Sequence, residues 1–178
     1  MDAGTYLHFM KGGCVMKKLK IYMETSAIGY LDENEEKYSK DKEAMLALWD
    51  RIKHNEFVVV ISELTLDELN ATQNMDKLRI LMDYISQIKY EIVETGSVAK
   101  RIAELLKING MLVADKHRND RLHIGIAIEN NCDIIVSMNF KHLVNITTIR
   151  GVRAISTLEG YGNIDIIQPI AMVAEEVD

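Results

Sequence analysis

The segment at residues 119–145, NDRLHIGIAIENNCDIIVSMNFKHLVN, changes from a helical pattern to a strand pattern within a few residues. Its first part predicts a helix over 119–130, and the run DIIVSM at 133–138 predicts a strand that is apolar on both faces. Such a strand is typical of a parallel sheet covered by helices on either side. Ser137 and Asn139 stand at the end of this strand. The segment therefore predicts an α/β fold with polar side chains at a strand end.

The rest of the chain repeats this alternation of apolar runs and helical stripes. Further strands are predicted at 19–23 (LKIYM), 57–62 (FVVVIS) and 164–168 (IDIIQ), and further helices at 41–55, 74–88 and 98–108. Strands separated by helices favour a parallel sheet with crossover connections. In open sheets of this kind, ligands bind outside the carboxyl ends of the strands, so the residues that follow each strand are the place to look for a site.

Composition indicates an ordinary globular chain with one domain. The 178 residues are 48% hydrophobic and 27% charged, and the longest apolar runs fall far short of the roughly 18 residues that a membrane span needs. Cys14 and Cys132 form neither a metal-binding spacing nor a disulfide framework, which favours the cytoplasm. We expect residues 1–15 to be an N-terminal extension, disordered or upstream of the true start at Met16, and residues 16–178 to be the domain.

Charge is unevenly distributed along the chain. The net charge of −6 argues against coating nucleic acid by bulk electrostatics. Residues 111–155 nevertheless carry six basic residues against four acidic ones. Lys116, Arg118, Lys141 and His142 flank the predicted strand end, where they are either phosphate contacts or ordinary surface charge.

Three carboxylates are predicted to converge at one rim of the sheet. Glu24 ends the first strand, Glu68 lies on the helix after the second, and Asp120 stands in the first turn of the helix at 119–130. Their mutual repulsion is most simply relieved by a divalent cation. Taken singly, each has a plainer explanation: Asp120 complements a helix dipole, and Glu68 belongs to a solvated helix face. Their joint placement favours a metal site.

The polar residues around these acids also have plainer explanations. Thr25, Ser26 and Asn139 are each suited to capping the start of a helix. His123 follows Asp120 by one helical turn, where it could share a metal, but a buried histidine that supports the site is the more common case.

Four stretches together resemble the PIN-domain family, in particular its VapC-like toxin ribonucleases. They are IYMETSAIGYL at 21–31, VVVISELTLDELNAT at 58–72, RNDRLHIGIAIENNCDIIVSMNFKHLVN at 118–145 and EGYGNIDIIQP at 159–169. The resemblance runs from about residue 18 to residue 169. It implies a three-layer α/β/α fold around a central, mainly parallel sheet.

The resemblance also implies a function and a set of site residues. PIN domains are Mg²⁺- or Mn²⁺-dependent nucleases, and most cut RNA. The family's acidic cluster falls on Glu24, Glu68, Asp120 and Asn139, which are expected to be the catalytic and metal-binding residues, with Ser26 and Ser137 supporting them. Glu24 replaces the more usual Asp, and Asn139 stands where Asp is frequent and removes one negative charge.

Partners follow from the same resemblance. A VapC-like protein is expected to act on RNA, to be restrained by an antitoxin and to form a homodimer. The main alternative is a catalytically silent PIN fold that binds RNA or protein, because Glu24 and Asn139 could weaken metal binding. A nucleotide-binding α/β domain is disfavoured, since the sequence shows neither a P-loop nor a glycine-rich turn after a strand.

Overall fold

The computed structural model describes residues 17–173. The predicted extension at residues 1–15 lies outside this part of the chain, as does Cys14. Within it, one sheet contains five strands, all parallel, in the order β3-β2-β1-β4-β5. The strands are β1 (Lys20–Met23), β2 (Val58–Ser62), β3 (Glu91–Val93), β4 (Ile134–Val136) and β5 (Asp165–Ile167).

Eight α-helices connect and follow these strands in the described residues. They are α1 (Thr25–Gly29), α2 (Ser39–Lys53), α3 (Glu63–Asn70), α4 (Met75–Ser86), α5 (Ser97–Ile108), α6 (Arg118–Glu129), α7 (Ile146–Leu158) and α8 (Pro169–Val173). Short 3₁₀ turns occupy Tyr30–Asp32, Glu36–Tyr38 and Asp115–His117. None of the helices over residues 17–173 combines the length and the apolar character needed to cross a bilayer.

The helices cover both faces of the sheet. Alternate residues of each strand point to opposite faces, so Ile21 and Met23 pack with side chains of α1 to α4. Tyr22, between them in sequence, packs instead with side chains of α5, α6 and α7. The predicted three-layer α/β/α fold with a parallel sheet is therefore confirmed.

Three elements were not predicted from the sequence: strand β3, helix α7 and the five-residue helix α8. Strand β3 pairs only with β2, at the edge of the sheet, and its first two residues are exposed. A three-residue edge strand that begins with Glu91 lacks the continuous apolar run that marked the other strands. Helix α7 begins after Asn145, whose side chain accepts a hydrogen bond from the backbone N–H of Thr148, and it falls between two predicted strands.

Sheet register places the ends of β1 and β4 side by side. Met23 pairs with Val136, so the residues that follow them, Glu24 and Ser137, are neighbours across the two strands. Strand β2 ends at Ser62 and continues directly into α3. The carboxyl edge of the sheet therefore gathers the first residues after β1, β2 and β4.

Helices α5 and α6 form an antiparallel pair that closes tightly at Gly125. A Cβ atom at this position would stand 2.3 Å from the backbone oxygen of Ala99, which is far inside van der Waals contact. Because that oxygen belongs to the backbone, it cannot move aside as a flexible side chain could. Glycine at 125 therefore sets the spacing of the two helices.

We predict that Gly125→Ala destabilises the protein, although alanine favours a helix by roughly 1 kcal/mol over glycine. Overpacking against α5 should lower the free energy of unfolding by about 1–3 kcal/mol. Urea denaturation measures this change. Gly162→Ala is the matched control, since no atom lies within 4 Å of its added Cβ. Equal stability of the two variants would contradict the close packing.

Candidate functional site

The carboxyl edge of the sheet carries three carboxylates, Glu24, Glu68 and Asp120, which we call the acidic rim. Glu24 directly follows β1, Glu68 lies on α3 and Asp120 lies in the first turn of α6. Hydrogen bonds from Thr25 and Asn119, the neighbours of Glu24 and Asp120 in sequence, both end on Glu68. The fold therefore brings the three predicted acids to one region, as the strand ends suggested.

Glu24 is held by two serines. Its carboxylate is buried, and Oε2 accepts hydrogen bonds from the hydroxyls of Ser26 and Ser137, the latter at 2.9 Å. Both serines are themselves fixed, because they accept the backbone N–H groups of Met138 and Asn139 at 2.9 and 3.0 Å. Among the described residues none donates a hydrogen bond to Oε1 of Glu24.

Asp120 is held by an amide and an imidazole. Its Oδ1 accepts a hydrogen bond from Nδ2 of Asn139 at 3.1 Å, and its Oδ2 lies 2.9 Å from Nδ1 of His117. The His117 ring packs against that of His142, with 4.1 Å between centroids and an angle of 51° between the ring planes. Burial, followed by the charge of His117, lowers the pKa of His142 below its ordinary value.

Asn139 presents a donor, not an oxygen, to the rim. Its Oδ1 accepts the backbone N–H of His142 at 3.1 Å, which fixes the amide orientation because a backbone N–H can only donate. The NH₂ group is then turned toward Asp120. In this conformation Asn139 positions a carboxylate, and its ligation of an ion stays a prediction.

Glu68 receives three donors. Oε1 accepts from Nδ2 of Asn119 at 2.7 Å, and Oε2 accepts from the hydroxyl of Thr25 and from Nε2 of His123 at 3.0 Å. Burial acts to raise the pKa of this carboxyl, but the hydrogen bond and the charge of His123, followed by the hydrogen bonds of Thr25 and Asn119, outweigh it and lower the pKa to about 2. Glu68 is therefore ionised throughout the physiological range.

A buried polar chain connects Glu68 to the centre of the sheet. His123 is 1% exposed, and its Nδ1 lies 2.6 Å from the hydroxyl of Tyr22, which lies 2.7 Å from Oγ of Ser62. Burial raises the pKa of the Tyr22 phenol, so it keeps its proton. Because the ionised Glu68 carboxylate can only accept, Nε2 of His123 carries a proton and donates it to Glu68.

The chemistry of the donor set fits a hard divalent cation. Carboxylate, amide and hydroxyl oxygens are the ligands that Mg²⁺ and Mn²⁺ prefer, and Oε1 of Glu24 has no hydrogen bond from the described residues to give up. Over residues 17–173, however, no three His, Cys, Asp or Glu side chains are grouped closely enough to share an ion. An ion held by all three rim carboxylates therefore requires their side chains to move closer together.

The four predicted RNA-contact residues differ in exposure and in their position relative to the rim. Lys116 and Lys141 are exposed, and His142 packs against His117 beside Asp120. Arg118 is also exposed, but it faces a cleft between α5 and α6. His117, Asn119 and Tyr22 were missed from the sequence. The one signal for His117 was its spacing of three residues from Asp120, which is one helical turn.

Two solved structures share the architecture of this chain. A chain of the VapBC2 complex from Rickettsia felis, bound to a DNA fragment from its promoter, matches with a TM-score of 0.53 and 15% identity, over 84% of this chain and 98% of that one. A chain of DNA-bound VapBC from Salmonella typhimurium matches with a TM-score of 0.50 and 16% identity, over 85% and 98%.

The chain shares their fold. This likeness agrees with the fold that the family resemblance implied. At 15% and 16% sequence identity it shows a shared fold and nothing further. No protein-family model matches the sequence, and comparison with curated proteins gives no match.

We predict that Glu68 makes stability dependent on pH in the acid range. Its folded-state pKa of about 2 lies below the ordinary value of 4.5, so its stabilisation is present above pH 4.5 and is lost as pH falls toward 2. The stability difference between the wild type and Glu68→Gln should therefore shrink over this window in urea denaturation.

Glu43→Gln is the matched control, because Glu43 is exposed on α2. Its stability difference from the wild type should stay constant over the same window. A Glu68→Gln difference that is equally large at pH 6 and at pH 2.5 would contradict the assigned hydrogen bonding.

Proposed function

We propose that this chain is a metal-dependent endoribonuclease of the VapC-like PIN type that hydrolyses RNA phosphodiester bonds at the acidic rim. The observation that carries the proposal is the convergence of Glu24, Glu68 and Asp120 from three separate elements onto one edge of a parallel sheet. The shared fold with VapBC chains and the motif resemblance at 118–145 support it.

Each residue has a role that follows from its contacts. Glu24 and Asp120 would hold the principal Mg²⁺ or Mn²⁺ ion, which would supply a polarised water and neutralise charge on the phosphate. Ser26 and Ser137 orient Glu24, and Asn139 orients Asp120. Glu68, kept ionised by its three donors, accepts a hydrogen bond from the attacking water and so orients it.

The partners are proposed on the same basis. The two matching structures are VapBC complexes bound to DNA, and we extend to this chain an antitoxin partner, together with homodimer formation and a cytoplasmic location. An antitoxin peptide that covers the acidic rim would block the RNA substrate directly.

One observation favours a second function, that of a catalytically silent binding module. Each rim carboxylate is already satisfied by protein donors at one oxygen or both, and the described residues contain no ready-made metal cluster. Calorimetric titration with Mn²⁺ separates the two functions. Heat of binding at or below millimolar metal supports the nuclease, and its absence supports the silent module.

We predict that Asp120→Asn abolishes RNA cleavage that depends on Mn²⁺ or Mg²⁺ and leaves the fold intact. The amide removes the charge that holds the ion, and loss should reach at least 100-fold, the size expected for removing a central electrostatic group. A pool of structured RNA, incubated with metal or with EDTA, provides the assay. Asp76→Asn, at an exposed position on α4, is the matched control. Full activity of Asp120→Asn would refute the proposed role.

We also predict opposite effects of Asn139→Asp without and with metal. In EDTA the new carboxylate replaces a donor to Asp120 with a like charge, so the melting temperature should fall. With Mn²⁺ the added oxygen ligand should strengthen ion binding, so the rise in melting temperature on adding metal should exceed that of the wild type.

Asn163→Asp, at an exposed position outside the rim, is the control for the added charge. A metal-induced rise in melting temperature that is equal in the wild type and both variants would show that no ion binds at Asn139.

A further inference from the structure

A charged cleft lies between α5 and the start of α6, on the opposite side of α6 from the acidic rim. It has a volume of about 360 Å³, within the range of roughly 300–1,000 Å³ that ligand sites occupy. Helix α5 contributes a single stripe at helical spacing, and the facing segment contributes the rest of the wall. The lining residues are Lys100, Ala103, Glu104, Lys107, Asp115, Arg118, Arg121 and Leu122.

The cleft carries an excess of positive charge in an acidic protein. Four cations face two acids there, and the one ion pair within it joins Lys107 to Asp115 at 3.1 Å. Over residues 17–173, Lys100, Arg118 and Arg121 have no acidic partner within ion-pair distance. The cleft is therefore electrostatically complementary to an anion.

Arg121 makes the cleft a preformed site instead of a patch of mobile surface charge. Its side chain is 4% exposed, and Nη1 donates to the backbone oxygens of Leu112 and Ala114, the latter at 3.2 Å. These bonds hold the guanidinium at the cleft wall without neutralising its charge. A buried cation with no acidic partner costs desolvation energy that a bound anion would recover.

The position of the cleft indicates which anion it serves. On α6, Asn119 and His123 turn toward Glu68, whereas Arg118, Arg121 and Leu122 turn toward α5. The rim and the cleft are thus separated by about one helix diameter, roughly 10 Å. The exposed side chain of Lys116 lies just before the start of α6, and the exposed Arg118 is its first residue and lines the cleft. A polyanion that passes over the start of α6 would therefore meet the positive charge of these two residues.

We infer that the cleft binds a backbone phosphate of the RNA strand several nucleotides away from the bond cleaved at the rim. This inference rests on the proposed nuclease function for the presence of RNA, and it adds a second contact on the far side of α6. The cleft then selects single-stranded substrates long enough to pass over the start of α6. A flexible strand can follow such a path, whereas a rigid duplex cannot bend around one helix.

The test uses RNA binding in EDTA, where the proposed cleavage does not occur. Lys100→Gln removes from α5 the cleft cation that has no acidic partner, and it leaves the rim, the Lys107–Asp115 pair and the start of α6 untouched. Lys40→Gln, on the exposed surface of α2, makes the same charge change elsewhere. Fluorescence anisotropy of a labelled ten-nucleotide oligouridine gives the dissociation constant at a series of salt concentrations.

We expect the α5 variant to bind several-fold more weakly than the wild type at moderate salt. Its plot of log affinity against log salt should be shallower by about 0.7, the amount expected for one lost phosphate contact with a single strand. The α2 variant should keep the wild-type slope. An unaltered slope in the α5 variant, or an equal loss in both variants, would overturn the inference.

Two further outcomes separate this inference from its alternatives. If Lys100→Gln weakens binding of a decaglutamate peptide but leaves the RNA slope unaltered, the cleft serves an acidic protein segment and the RNA assignment is wrong. Cleavage assays with Mn²⁺ report on the nuclease separately. If the wild type cleaves RNA but the α5 variant keeps the wild-type salt slope, only the proposed phosphate site in the cleft is wrong. If the slope changes but the wild type cleaves no RNA, only the proposed nuclease function is wrong.

Discussion

The mutual repulsion of three carboxylates at one edge of a parallel sheet is the constraint to which the surrounding structure responds. Parallel register forces the residues after β1 and β4 together, and it places Glu24 beside Ser137. Hydrogen-bond donors surround each carboxylate. Two serines donate to Glu24, Asn139 and His117 contact Asp120, and three donors bind Glu68. At Glu68 these donors lower the pKa of the carboxyl and keep its charge in a partly buried place, as a cation site requires.

The three carboxylates of the rim differ in how firmly hydrogen bonds hold them in place. Glu68 is tied through His123 and Tyr22 to the buried centre of the sheet, so its position is set by the core. Glu24 keeps one carboxylate oxygen without a donor among the described residues, and Asp120 depends on exchangeable contacts to an amide and an imidazole. An arriving ion would therefore reorganise Glu24 and Asp120 while Glu68 stays in place.

The sequence predicted the fold and the location of the acids, because both depend on local pattern. Apolar runs separated by helical stripes identified four of the five strands, and Glu24 and Asp120 could be placed from the strand and helix ends next to them. Strand β3 was not predicted because it is short, lies at an edge and begins with an exposed Glu91. The hydrogen-bond partners of the acids could not be predicted, since they depend on tertiary placement: Tyr22 belongs by pattern to an apolar strand, and the orientation of Asn139 is set by the backbone N–H of His142.

The central claim is that the rim, with Glu24 as a ligand, binds a divalent cation. Electron paramagnetic resonance of Mn²⁺ tests it most directly, because the signal of the free ion decreases when the ion binds protein. We expect the wild type to reduce the free Mn²⁺ signal at micromolar to millimolar metal, and Glu24→Gln, which keeps the shape but loses the charge, to reduce it far less. Equal reduction by the two proteins, or no reduction by the wild type, would show that Glu24 is not a ligand of a cation at the rim.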